Sequence, residues 1–175
     1  LTAQMDSIPM IVLCGQTITP ALGKDAFQEA DVFGVTAPIV KHSYLVKDTN
    51  AIPQIIEEAF HIATTGRPGP VVIDLPKDVT SAVFTGSLEP QALDLPGYDL
   101  EQAIDGNALE KMAGILNEAK APLLLVGQGA KIAKAGEQVT KLAECLDAPV
   151  VSTKLGKGTF AENHDLSMGM LGMHG

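Results

Sequence analysis

Lys41 and His42 stand side by side, a pair able to bind an anion or to shuttle protons. A solvated surface pair is the plain alternative. Arg67 lies in Gly66-Arg67-Pro68-Gly69-Pro70, where two prolines stiffen the loop. An arginine fixed in this way suits a phosphate or a carboxylate, with an ordinary surface arginine as the alternative. Gly127-Gln128-Gly129-Ala130 is a glycine pair of the kind that lets backbone approach a phosphate. The dinucleotide fingerprint requires another glycine at 132, which is Ile132, and the acid about 20 residues on is Asp147, at a helix end. A tight strand-to-helix turn explains the glycines equally well. The loop Gly15-Gln16-Thr17-Ile18-Thr19-Pro20 leads to Asp25-Ala26-Phe27-Gln28-Glu29, a candidate site lining, although Phe27 could be core and Gln28 a surface amide. His164 and His174 flank or close a segment with Met168, Met170 and Met173 interleaved with glycine. This flexible, soft surface could pack on a flat ring system or in a core. There is no His-Glu-x-x-His, Gly-x-Ser-x-Gly, P-loop or Cys-x-x-Cys, so hydrolase and zinc chemistry lack local support. Cys14 and Cys145 form no close pair, and no metal-ligand set is assigned.

Such residues need elements to place them. Ile8–Cys14, Pro70–Leu75, Pro122–Val126 and Ala148–Ser152 are short continuous apolar runs, and Ser43–Val46 is a further candidate strand. Runs of this kind fit strands buried on both faces of a parallel sheet. Ile52, Ile55, Ile56, Ala59, Phe60 and Ala63 form one helical stripe. Thr49 or Asn50 is its expected cap, Pro53 lies in its first turn, and Gly66 and Pro68 end it. A second helix carries Leu109, Met112, Ala113 and Leu116, with Asn107 and Glu110 as the expected capping pair. A third carries Ala135, Val139, Leu142, Ala143 and Leu146. Alternating strand and helix predicts an α/β fold of parallel-sheet, three-layer domains with right-handed crossovers. Glycines and prolines between Thr80 and Gly106 break the rhythm and predict a surface linker. The expected division is 1–79, 80–106 and 107–175.

The chain has 175 residues, 46% hydrophobic and 19% charged, with a net charge of −9, an ordinary globular composition. The acidic balance argues against nucleic acid and anionic membranes as partners. No apolar run reaches the ~20 residues of a membrane span. The N-terminus lacks a signal-peptide pattern, and both ends read as cuts through a longer protein.

Five blocks occur together and in order: Gly15-Gln16, Gly23-x-Asp-Ala-Phe-Gln-Glu29, Lys41-His-Ser-Tyr-Leu-Val46, Gly66-Arg-Pro-Gly-Pro-Val-Val-Ile-Asp-Leu-Pro-Lys-Asp78 and Leu171-Gly-Met-His-Gly175. In this set the chain resembles the acetolactate synthase family of thiamine-diphosphate enzymes. The resemblance covers nearly the whole chain and is least specific over 80–106. It implies that 1–79 ends a pyrimidine-binding domain and that 107–175 is the front half of a central, Rossmann-like FAD-binding domain. The implied reaction is decarboxylation of pyruvate, then condensation with pyruvate or 2-oxobutanoate, in branched-chain amino-acid synthesis. Phe27, Gln28 and Lys41 resemble residues at the active site and its channel. Arg67, Gly127, Gly129, Thr153, Leu155, Leu171, Gly172, Met173 and His174 resemble those lining FAD, and Lys77 one at the channel mouth. The implied cofactors are thiamine diphosphate, Mg²⁺ and FAD. The ring-activating glutamate and the Gly-Asp-Gly…Asn metal segment of the family fall outside the matched stretch, so the isolated chain is expected to be inactive. The sequence departs from the family at Thr17-Ile18-Thr19-Pro20, where Val-Pro and arginine are usual, and at Lys24, Lys154 and Lys157. Implied partners are 2-oxo acids, a second or further copy in a dimer or tetramer, and a regulatory small subunit. The implied location is the cytoplasm, or the plastid in a eukaryote. Glyoxylate carboligase and a non-catalytic FAD- or nucleotide-binding module are the alternatives.

Overall fold

The computed structural model describes residues 1–90, 92–100, 103–173 and 175. The chain divides into two compact units, Leu1–Glu101 and Gln102–Gly175.

The first unit is built on strands β1 (Met10–Gln16), β2 (His42–Leu45) and β3 (Pro70–Pro76). All pair in parallel in the order β1-β3-β2, with Leu13 opposite Ile73 and Tyr44 opposite the same Ile73. The helix α3 (Ile52–Thr64) packs its Ala59, Ile62 and Ala63 against Val46, Val71, Ile73 and Val79. Three short helices complete this unit: α1 (Thr2–Met5), α2 (Val32–Thr36) and α4 (Lys77–Ser81).

Burial on both faces holds for the central β3, where only Leu75 is not fully buried. It fails for β1, whose Leu13 is 62% exposed. β1 is an edge strand, and its Met10 and Leu13 are exposed. The cap expected from Thr49 or Asn50 also shifts. A tight turn over Thr49–Ala51 precedes α3, and the Asp48 carboxylate accepts from Asn50 N–H at 2.9 Å. The N-cap position is Ala51, which has no side-chain bond. Thr49 is used elsewhere, donating its hydroxyl to the Val79 carbonyl at 2.6 Å. The far end of the expected linker is fastened to this unit. Leu95 packs on the core, and the Tyr98 hydroxyl pairs with Thr65 Oγ1 at 2.9 Å.

The second unit holds β4 (Leu124–Val126), β5 (Val150–Ser152) and β6 (Ser167–Met170), parallel in the order β4-β5-β6. Its helices are α5 (Gly106–Glu118), α6 (Gln128–Ile132) and α7 (Gly136–Leu146). The core is Val126, Ala143, Val150 and Phe160. Leu125 of β4 is 59% exposed, a second departure from two-sided burial. The cap of α5 is Asp105, not the Asn107–Glu110 pair: one Asp105 oxygen accepts from Asn107 and Ala108 N–H. The helix starts at Gly106, which places Asn107 inside its first turn. The methionine-rich segment read as flexible forms a strand instead, tied to β5 by Val150 N–H to Leu166 O at 2.8 Å and Leu171 N–H to Ser152 O at 2.9 Å. Backbone pairing on an already formed neighbour overrides the weak strand preference of Met and Gly.

Candidate functional site

Parallel sheets place ligands outside the carboxyl ends of their strands, and each unit carries a cluster of candidate residues there. In the first unit, β1 ends at Gln16. Its buried amide donates to the Asp74 carboxylate at 3.0 Å and to the Ala30 carbonyl at 2.7 Å, while its oxygen accepts from Thr17 N–H at 2.9 Å. Asp74, on β3, is 4% exposed, and its second oxygen is buried without a hydrogen-bond partner. Burial pushes its carboxyl above the ordinary aspartate value, opposed by the Gln16 bond. Gln16 and Asp74 line a cleft of about 490 Å³ together with Asp25, Glu29, Tyr44 and Phe33. Thr19, in the loop after β1, is clamped to Asp78: its N–H donates to one carboxylate oxygen at 3.0 Å and its hydroxyl to the other. The Thr19 hydroxyl and then its N–H hold the Asp78 carboxyl below the ordinary range.

Phe27 and Gln28 lie on the loop that forms the rim of this cleft. Phe27 is 89% exposed, so the reading of it as core does not hold. Gln28 takes a left-handed backbone with φ of 61°. Lys41 lies just ahead of β2, away from that loop's rim. Its ammonium donates to the carbonyls of Ile62 and Thr65 (2.6 Å for Thr65) and to the Tyr98 hydroxyl at 2.7 Å. It also lies over the Tyr98 ring, 5.1 Å from the centroid. A cation at the carbonyl end of α3 satisfies groups the helix leaves open and meets the negative end of its dipole. His42 stacks edge-on to Tyr44 at 4.5 Å. Arg67 closes a different helix end: Nε donates to Ser7 Oγ at 2.8 Å, and Nη2 to the carbonyls of Gln4 and Met5 at 3.2 and 3.0 Å.

In the second unit, all three strands deliver candidates at their carboxyl ends. Gly127 and Gly129 follow β4, Thr153 and Leu155 follow β5, and Leu171, Gly172 and Met173 follow β6. His174 lies outside the described residues. A Cβ at Gly127 or Gly129 would meet no atom within 4 Å, so the backbone there faces open space. Leu171 and Met173 are exposed, Met173 at 91%. Open glycine backbone and exposed apolar side chains at the same strand ends leave room for a ligand there. Thr153 N–H donates to the Val126 carbonyl at 2.9 Å, and Gly156 N–H to Thr153 Oγ1 at 3.1 Å. A Cβ on Gly156 would lie 2.2 Å from the Val126 carbonyl oxygen. Glycine is thus sterically required at 156, unlike at Gly127 and Gly129 after β4.

Sequence reasoning assigned no role to Asp74 or Gly156, and placed Glu29 only within a candidate site lining. An acid inside the apolar run Val71-Val72-Ile73-Asp74-Leu75 was the available signal for Asp74.

Residues 109–175 match the family described as thiamine pyrophosphate enzyme, central domain. A solved structure from Mycobacterium smegmatis, of an enzyme described as thiamin diphosphate-dependent, superposes with a TM-score of 0.77 at 28% identity, over 98% of this chain and 32% of that one. More narrowly, the chain is a relative of acetolactate synthases over its whole length. It is 48% identical to the acetolactate synthase of Arthrospira platensis, over 99% of this chain and 31% of that protein. It is 47% identical to the acetolactate synthase large subunit of Corynebacterium glutamicum, over 99% of this chain and 28% of that protein. The chain therefore spans less than a third of the length of these relatives.

Proposed function

We propose that this chain is part of an acetolactate synthase, a carboligase that decarboxylates pyruvate on thiamine diphosphate and condenses the product with pyruvate or 2-oxobutanoate, feeding branched-chain amino-acid synthesis. The observation that carries the reading is the 48% identity that runs through 99% of the chain. Thiamine diphosphate supplies the carbanion chemistry when bound, and the protein orients and shields it. In this reading Phe27 and Gln28 face the reacting substrates from the rim of the first cleft. Lys41 acts from beneath through the helix end it closes. Gly127, Gly129, Thr153, Leu155, Leu171, Gly172 and Met173 would hold FAD, and Arg67 and His174 keep the FAD-lining role that the resemblance implies for them. The Mg²⁺ ligands and the ring-activating glutamate come from parts of the relatives that this chain does not match, so the 175 residues alone are inactive. A dimer or tetramer, a regulatory small subunit and a cytoplasmic or plastid location complete the proposal.

The test is to purify the native polypeptide carrying this sequence and assay it with thiamine diphosphate, Mg²⁺ and FAD. Acetolactate formation from pyruvate is expected, with none from the 175-residue chain. Turnover of glyoxylate but not pyruvate would move the assignment to glyoxylate carboligase. Bound flavin without consumption of either acid would make the protein a binding module.

A further inference from the structure

The loop that carries Phe27 and Gln28 adopts a backbone that its sequence does not favour. Gly23, Asp25 and Gln28 all have positive φ, at 75°, 55° and 61°. Left-handed Asp and Gln persist only where the surroundings over-determine them. Here the determinant is one side chain. The two carboxylate oxygens of Glu29 accept separate backbone N–H groups, one from Gly23 and the other from Ala26 at 2.8 Å. The Glu29 N–H returns to the Ala26 carbonyl at 2.9 Å. The loop is thus closed on itself at 23, 26 and 29, and Phe27 and Gln28 are the two residues between the last pair of anchors. Next to it, the Ala30 carbonyl is held by Gln16. The N–H groups of Ala26 and Gly23 also hold the Glu29 carboxyl below its ordinary value, as expected of an anion in a cradle of amides.

We propose that Glu29 is a positioning residue, whose carboxylate sets the backbone that presents Phe27 and Gln28 to the substrate cleft. The part of this that concerns turnover rests on the carboligase reading above. Glu29→Gln is the discriminating change. Its amide keeps one acceptor but turns a donor toward the other N–H, so one of the two anchors is lost.

The experiment uses the native polypeptide and two readouts. The first is amide hydrogen exchange, which needs no activity. Glu29→Gln should speed exchange about tenfold at whichever of Gly23 and Ala26 loses its acceptor, and leave Val71–Ile73 unchanged. The second is a double-mutant cycle on kcat/KM with Phe27→Ala. If Glu29 acts through Phe27, the double variant is no more than about threefold worse than the poorer single one, whereas a general loss of stability makes the two effects multiply. Unchanged exchange at Gly23 and Ala26, or multiplying effects, overturns the proposal and leaves the carboligase reading intact. Absence of turnover in the unsubstituted protein overturns the carboligase reading alone, and the exchange result then decides whether Glu29 sets the loop.

Discussion

Asp74, in the carboxyl half of β3, and Lys41, just ahead of β2 at the amino end of the same sheet, show how one unit treats an acid and a base. Asp74 is buried with one oxygen unpartnered, and burial raises its pKa. A carboxyl whose folded pKa lies above its unfolded value is favoured in the protonated form. Its contribution to stability is complete below the unfolded pKa and is lost as pH rises through the folded one. The Asp74→Asn protein lacks that loss. Urea melts should therefore show the variant gaining on the natural protein as pH climbs above the ordinary aspartate value. A difference that stays flat over that climb would mean the buried charge is not felt. Lys41 has the opposite situation, with its ammonium satisfied by two carbonyls and a hydroxyl. Removing a charged donor from such a site costs about 2 kcal/mol, so Lys41→Met should lower the unfolding free energy by about that much. A stable Lys41→Met protein with impaired turnover would return Lys41 to direct substrate contact. Little of this was legible beforehand, because a lysine's partners, the carbonyls of Ile62 and Thr65, lie 21 and 24 residues away along the chain.

At the scale of elements, four of the five expected strands came from continuous apolar runs, and the structure starts each of β1, β4 and β5 two residues later than its run. The α/β alternation was readable because each strand must be followed by a helix long enough to return the chain. Caps were less readable, since Asp48 and Asp105 lie outside the residues that carry the apolar stripe. β6 was not readable at all, because its reason for being a strand is β5, not its own Ser-Met-Gly-Met. The strand-end loops yield a paired prediction. Gly156→Ala drives a Cβ into the Val126 carbonyl and should destabilise the second unit by about 3 kcal/mol. Gly127→Ala has open space and a φ of −103°, so its unfolding free energy should stay within about 0.5 kcal/mol of the natural protein. If Gly127→Ala nevertheless weakens flavin binding in an absorbance titration, the open face is cofactor-facing. Loss of stability in Gly127→Ala would point to a packing role instead.

For the molecule as a whole, the sequence made α5 amphipathic, and the structure leaves its Leu109, Met112 and Ile115 more than half exposed. An apolar stripe of that kind binds hydrophobic dyes and favours self-association. Ile115→Glu should reduce both dye binding and the apparent mass of the 175-residue chain in light scattering, and an unchanged mass would show that the stripe does not drive association. The compact units divide near 101, although regular structure in the first unit ends at Ser81. Tyr98 explains the difference. Its hydroxyl sits among Lys41, Thr65 and the Ile62 carbonyl, with the His61 ring 5.9 Å away. The first unit therefore owns a stretch of chain that looks like a tether. In a graft that moves this sheet into another protein, the seam at Ser81 would leave Lys41 and the end of α3 without their cover. The seam at residue 100 would carry the unit's own closing piece with it, so what is inherited together is set by Tyr98 rather than by the last helix.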